Sequence, residues 1–210
     1  MAQATPEMDT QWVPARDGRV RRSERSREAI VTALFELVGR GVLQPTAQQV
    51  ADRAGVGMRS VFRHFSEMES LHRAMDARLE AEAAKILVAG ERGGPLEQRV
   101  RALLAQRLAL FERVAPYKRS ANLLRWRSKF LQERHLRMQR LLRADLARWL
   151  PELSRAAPDV REAIDLALSF EAWDRLRVDQ RLSAQQAATV VERIATALLR
   201  DVTPRRARRR

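Results

Sequence analysis

Residues 46–65 read TAQQVADRAGVGMRSVFRHF, and the rest of the chain is best read outward from them. Thr46 opens a Thr-x-x-Gln pattern with Gln49, a capping box in which each side chain satisfies a free N–H at a helix start. Val50 and Ala51 then face inward, and Ala51 is small enough for a second helix to approach closely. Gly55 falls where the turn needs an unusual backbone angle, which a residue without Cβ adopts without strain. Val56, Val61 and Phe65 are spaced to anchor a second helix on the same core, leaving Arg59, Ser60, Arg63 and His64 for solvent or a partner. Two short helices, a tight turn and an outward polar face make the pattern of a helix-turn-helix, whose second helix enters a DNA major groove.

The flanks extend the pattern. In residues 26–40, Ile30, Ala33, Leu34, Leu37 and Val38 follow the i, i+3, i+4, i+7, i+8 stripe of an amphipathic helix, which Gly39 and Gly41 end. Ser66-x-x-Glu69 is a second capping box and predicts a helix to about Ala89. With these flanks, the stretch resembles the DNA-binding domain of the TetR (tetracycline repressor) family. The residues that carry the likeness are Phe35, Gly41, Thr46, Val50, Ala51, Ala54 to Val56, Val61 to Phe65, Ser66 and Glu69, within roughly the first 80 residues. The rest of the chain is similar only in length, helicity and order. Three positions depart from the family pattern. Phe62 stands where Tyr is usual and lacks the hydroxyl that contacts a phosphate, so it is read as a packing residue. Met68 replaces a frequent Lys, and Gly57 is a weaker cap than Ser or Thr.

The chain has 210 residues, enough for one good core or two small ones. No run of about twenty apolar residues predicts a transmembrane helix, and the polar start lacks a secretory h-region, so a cytoplasmic protein is expected. The absence of cysteine excludes disulfides and thiolate chemistry. A net charge of +14, nearly all of it arginine since only Lys85, Lys118 and Lys129 are lysines, points to a polyanionic partner, or else to a compositional preference for arginine. The excess positive charge is densest toward the two ends. Residues 1–22 read as a flexible basic arm, 23–66 as the helix-turn-helix domain, 67–203 as a helical ligand-binding and dimerisation domain, and 204–210 as a basic tail. Helices are predicted from Leu96 to Val114, with Pro116 interrupting before a helical region to Leu150. Two more run from Asp159-x-x-Glu162 to about Arg177 and from Ser183-x-x-Gln186 to about Asp201. Nothing alternates as a strand does, so the fold class is all-α with about nine helices.

The DNA-facing candidates are Thr46, Gly57, Met58, Arg59, Ser60, Arg63 and His64, joined by Arg22 and Arg25 from the basic stretch. Arg59 suits guanine, whose O6 and N7 a guanidinium can bond together, and Met58 suits a thymine methyl. Thr46 and His64 suit phosphates, which fix register without reading sequence. The apolar character of residues 159–177 and 183–201 calls for partners on both sides, in the chain's own core or in a second chain, and the resemblance implies a homodimer through them. It also implies a double-stranded DNA operator and a small-molecule effector in a cavity, for which Phe111, Tyr117, Asn122, Trp126, Phe130 and Trp173 are candidates. Trp126 and Phe130 are spaced one helical turn apart, and Arg125 is a further polar candidate. No cofactor, metal or membrane partner is indicated. Neither H-E-x-x-H, a phosphate loop nor G-x-S-x-G is present, so an enzyme is not expected. The expected function is a repressor released by its effector. The competing reading is a basic all-α architectural protein that coats DNA without one.

Overall fold

These apolar spacings fold into nine α-helices and no strand among the described residues. The structure, a computed structural model, describes residues 15–90 and 92–200. The helices are α1 (Ala15–Gly39), α2 (Ala47–Ala54), α3 (Met58–His64), α4 (Met68–Val88), α5 (Leu96–Leu124), α6 (Lys129–Trp149), α7 (Pro158–Ala167), α8 (Phe170–Val178) and α9 (Ala184–Leu199). Short 3-10 turns at Arg125–Arg127 and Pro151–Arg155 follow α5 and α6. No helix among the described residues is long and apolar enough to cross a membrane. The chain divides into two compact units at Leu37 and again inside α4 at Met75, and the short segment Val38–Gln44 belongs to the second. The second division falls beyond the boundary expected at residues 66–67.

The first unit buries Ile30, Leu34 and Phe35 of α1, Val50 and Ala51 of α2, Val61 of α3 and Leu71 of α4. α1 begins at Ala15, so the part of the expected arm that is described, residues 15–22, is helical. The sequence hid this because Gly18 to Arg25 are exposed and carry no apolar stripe. Arginine is nevertheless a good helix former, and one glycine costs only about 1 kcal/mol. Residues 1–14 and 201–210, which include the rest of the arm and the basic tail, lie outside the described residues.

In the second unit, Val100, Leu103, Trp149, Ile164 and Val191 bring α5, α6, α7 and α9 into one core. A second cluster centres on Phe111, Phe170 and Trp173, with Phe111 and Phe170 edge-to-face at 5.8 Å. Segment 38–44 is tied down here as well, since Ser120 Oγ donates to the Leu43 carbonyl at 2.6 Å.

Three helix expectations need correction. α5 runs through Pro116 without ending. Proline removes one i→i−4 bond, but Ala115 and Tyr117 on either side are buried, and that packing carries the helix on. Residues 159–177 form two helices instead of one, because Ser169 accepts from the Ala172 N–H at 3.1 Å and starts α8 afresh. Asp159 opens no capping box, and α4 begins two residues after Ser66. α7 starts at Pro158, whose missing N–H costs nothing there, and Glu162 pairs with Arg143 at 2.7 Å. α4 starts at Met68, and Glu69 pairs with Arg73 one turn on.

Candidate functional site

The helix-turn-helix element of residues 46–65 is built by local chemistry. Thr46 Oγ1 accepts from the Gln49 N–H at 3.2 Å, and Gln49 Oε1 accepts from the Thr46 N–H at 2.9 Å, completing the predicted capping box. Gly55 closes α2 in the left-handed region at φ 65°, and the Val56 N–H bonds the Ala51 carbonyl at 3.1 Å. This αL closure sets where α3 begins. Gly57 caps α3 without a side-chain bond, the weakness read in the sequence. Val61 and Phe65 are buried, and Arg27 lies over the Phe65 ring at 5.2 Å.

Opposite them, Met58, Arg59, Phe62 and Arg63 are exposed and Ser60 is half-buried. Phe62, expected to pack, is 46% exposed, because a seven-residue helix has room for one buried face and Val61 and Phe65 occupy it. Met58 and Phe62, one turn apart, therefore make an apolar pair beside the arginines. Among the described residues no carboxylate pairs with Arg59 or Arg63, whereas Arg53 is held by Glu36 at 2.6 Å. His64 is half-buried with Nε2 enclosed and unbonded. Burial, then Arg63 and Arg27, keeps its pKa below the ordinary value, so it is neutral at pH 7. Arg22 and Arg25 are exposed on α1, where Arg25 Nε donates to the Arg21 carbonyl at 3.3 Å.

The second unit contains a cavity of about 60 Å³ walled by α4, α5, α6 and Phe170. Of the ligand candidates, Phe111 and Asn122 line it and so does Arg125. The other four do not. Trp173 completes the aromatic core cluster, and Tyr117 is buried with its hydroxyl against Gly39. Trp126 is 69% exposed and stacks with Arg127. Phe130 is half-buried and belongs to α6 while Trp126 belongs to the preceding 3-10 turn, so the two do not share one helix face. Further polar wall residues were not among the candidates.

Toward the α5–α6 turn stand Lys118, Arg134 and His135. They were legible as the polar members of otherwise apolar stripes. Leu131, Arg134, His135, Met138 and Leu142 repeat at i, i+3, i+4, i+7 and i+11. Lys118 Nζ donates to His135 Nδ1 at 2.8 Å. Burial, reinforced by Lys118 and Arg125, holds His135 down at about 4, so the imidazole is neutral and accepts. Behind it Asp76 is pushed up to about 6, burial outweighing its ion pair with Arg134.

These two shifts act on stability with opposite signs. As pH falls from 6.5 to about 4, unfolded His135 takes a proton that the folded site refuses, so folding weakens. From about 6 to 3.8, folded Asp76 takes a proton that the unfolded chain does not, so folding strengthens. His135→Gln should therefore lose less thermal stability than wild type on acidification from pH 6.5 to 4, and Asp76→Asn should lose more. Each divergence is expected near 1 kcal/mol after solvent screening, or roughly 2–4 °C in Tm. Melting curves parallel to wild type for both variants would contradict the assignment.

No family model matches the sequence, and no curated protein does. Among solved structures, a transcriptional regulator from Rhodococcus sp. Rha1 superposes with a TM-score of 0.65 at 21% identity, covering 87% of this chain and 99% of its own. A TetR transcriptional regulator from Rhodococcus sp. RHA1 aligns with a TM-score of 0.49 at 16% identity, covering 88% and 99%. The chain thus has an all-helical fold shared with a transcriptional regulator.

Proposed function

We propose that the chain is a cytoplasmic, homodimeric transcriptional regulator of the TetR type. It represses by holding a near-palindromic operator and lets go when a small molecule occupies the cavity. The observation that carries this reading is α3, a helix seated by the Thr46 box and the Gly55 turn whose outer face presents Arg59 and Arg63 with no counter-ion among the described residues. Arg59 reads guanine, Met58 and Phe62 offer apolar contact to thymine methyls, and Thr46, Ser60 and His64 hold phosphates. Pairing of two chains through α7, α8 and α9 would set two such helices one DNA turn, about 34–36 Å, apart. Leu166, Val178 and Ile194, exposed apolar residues on these helices, support that pairing. Nothing in the fold's regulator likeness or in the sequence motifs calls for catalysis.

Competition binding tests the reading. A fragment from upstream of a regulated gene should be held about a thousandfold or more tightly than bulk DNA. Equal affinity for both would leave a DNA-coating protein instead. Release requires a ligand that prefers the free protein by about 1–3 kcal/mol, and a ligand with equal affinity for free and DNA-bound protein would exclude it. The exposed arginines of α1 supply charge. In Arg22→Gln/Arg25→Gln, the slope of log affinity against log salt should fall by about 0.9 for each phosphate that is no longer neutralised. An unchanged slope would remove α1 from the interface.

A further inference from the structure

The cavity wall carries one charge too many. Its charged groups can be paired off in turn. Arg134 has Asp76, Lys118 has Glu171 at 3.4 Å, and Glu80 has Arg137 at 3.8 Å. His135 accepts a hydrogen bond from Lys118. Arg125 remains. Its side chain lines the cavity, and among the described residues no carboxylate pairs with it. A half-buried cation without a counter-charge is costly unless something supplies one. Beyond this end the wall is apolar, formed by Leu79, Ala83, Phe111, Val114 and Met138 among others.

We infer that the cavity binds a small apolar monocarboxylate, its carboxylate on Arg125 and its hydrocarbon part against Phe111, Val114 and Met138. The inference rests on the cavity being the effector site of the proposed regulator. A single uncompensated cation selects a monoanion over a dianion or a cation. The planar guanidinium of Arg125 matches a carboxylate in geometry as well as charge. The volume of about 60 Å³ lies far below the 300–1,000 Å³ typical of sites for drug-sized ligands, which selects a short acid. Asn122, also in the wall, supplies an amide that can donate to the second carboxylate oxygen.

Butanoate and hexanoate, each compared with its own amide, test this by calorimetric titration of the intact chain. The acids should bind about tenfold or more tightly than the amides, because only the acids place a charged acceptor on Arg125. In Arg125→Gln that preference should vanish while amide binding stays the same. In Arg125→Lys, which keeps the charge, a preference for acid should survive. Acid and amide of equal affinity in wild type, an unaltered preference in Arg125→Gln, or no binding of either acid at millimolar concentration would each overturn the inference. A DNA-shift assay on the same samples separates the two ideas. Acids that bind without changing DNA affinity leave the carboxylate site standing and remove its role as effector. Sequence-selective DNA binding without acid binding does the reverse.

Discussion

Arg59→Ala is expected to cut operator preference by roughly thirtyfold or more while leaving the weaker hold on bulk DNA nearly intact. Arg59 is the second residue of α3, near the helix N-terminus, where recognition helices meet base edges. It is exposed, and no carboxylate among the described residues competes for it. One bidentate guanine contact discriminates by about 1–3 kcal/mol. In a two-fold dimer the substitution removes two such pairings, about 2–6 kcal/mol, or roughly thirtyfold to ten-thousandfold in operator affinity. Bulk DNA, held through phosphates, should weaken only by the charge removed. Arg59→Lys should rescue the bulk affinity and not the preference, since an ammonium cannot form the planar pair. If operator and bulk affinities fell by the same factor, Arg59 would be a phosphate ligand and the base-reading role would pass to another residue.

The largest stability effect is expected at a residue far in sequence from α3. Asp145 is 1% exposed and meets Arg92 at 3.3 Å, Arg148 at 3.4 Å and Arg107 at 3.5 Å. Arg107 is itself buried and also donates to the Leu142 carbonyl, and burial lowers its pKa despite Asp145. Asp145→Ala removes the carboxylate that Arg107 meets in its buried site, and breaking such a pair costs about 3–5 kcal/mol. That is a large part of a typical domain's total of about 5–15 kcal/mol. Urea unfolding should show the loss as a lower midpoint at unchanged slope. Replacing both buried charges, Asp145→Leu with Arg107→Met, should recover most of it, because Arg107 no longer needs a partner and the more exposed Arg92 and Arg148 can turn to solvent. A single variant within about 1 kcal/mol of wild type would show that water reaches Arg107.

Legibility followed the range of the interactions involved. The Thr46 box, the Gly55 turn and the burial of Val50, Ala51, Val61 and Phe65 are decided within a few residues, and the sequence showed them in full. The start of α1 was invisible to periodicity because its first turns bury nothing. Pro116 and Ser169 misled in opposite directions. Packing of Ala115 and Tyr117 overrides the proline, while a single hydroxyl suffices to restart the chain at α8. The cavity was half legible. Phe111, Asn122 and Arg125 were found, but which aromatic faces a void depends on contacts between helices distant in sequence. Asp145 carried no signal at all, since its three arginine partners converge only in the folded unit.

The break at Ser169 makes two different surfaces depend on one piece of chain. Phe170 is the first residue of α8 and a wall of the cavity, and the same helix ends at exposed Val178 on the face assigned to subunit pairing. A helix end is its most compliant part, because the first four N–H groups lack partners within the helix. Here the Ser169 side chain and carbonyl bond the Ala172 and Trp173 N–H groups. A molecule pressing on Phe170 therefore strains two hydrogen bonds anchored on one serine before it disturbs any interior turn. An uninterrupted helix from 158 to 178 would have been stiff at that point. With the break, a helix start stands where filling the cavity would bear on α8, the helix that also carries Val178 on the face proposed for subunit pairing.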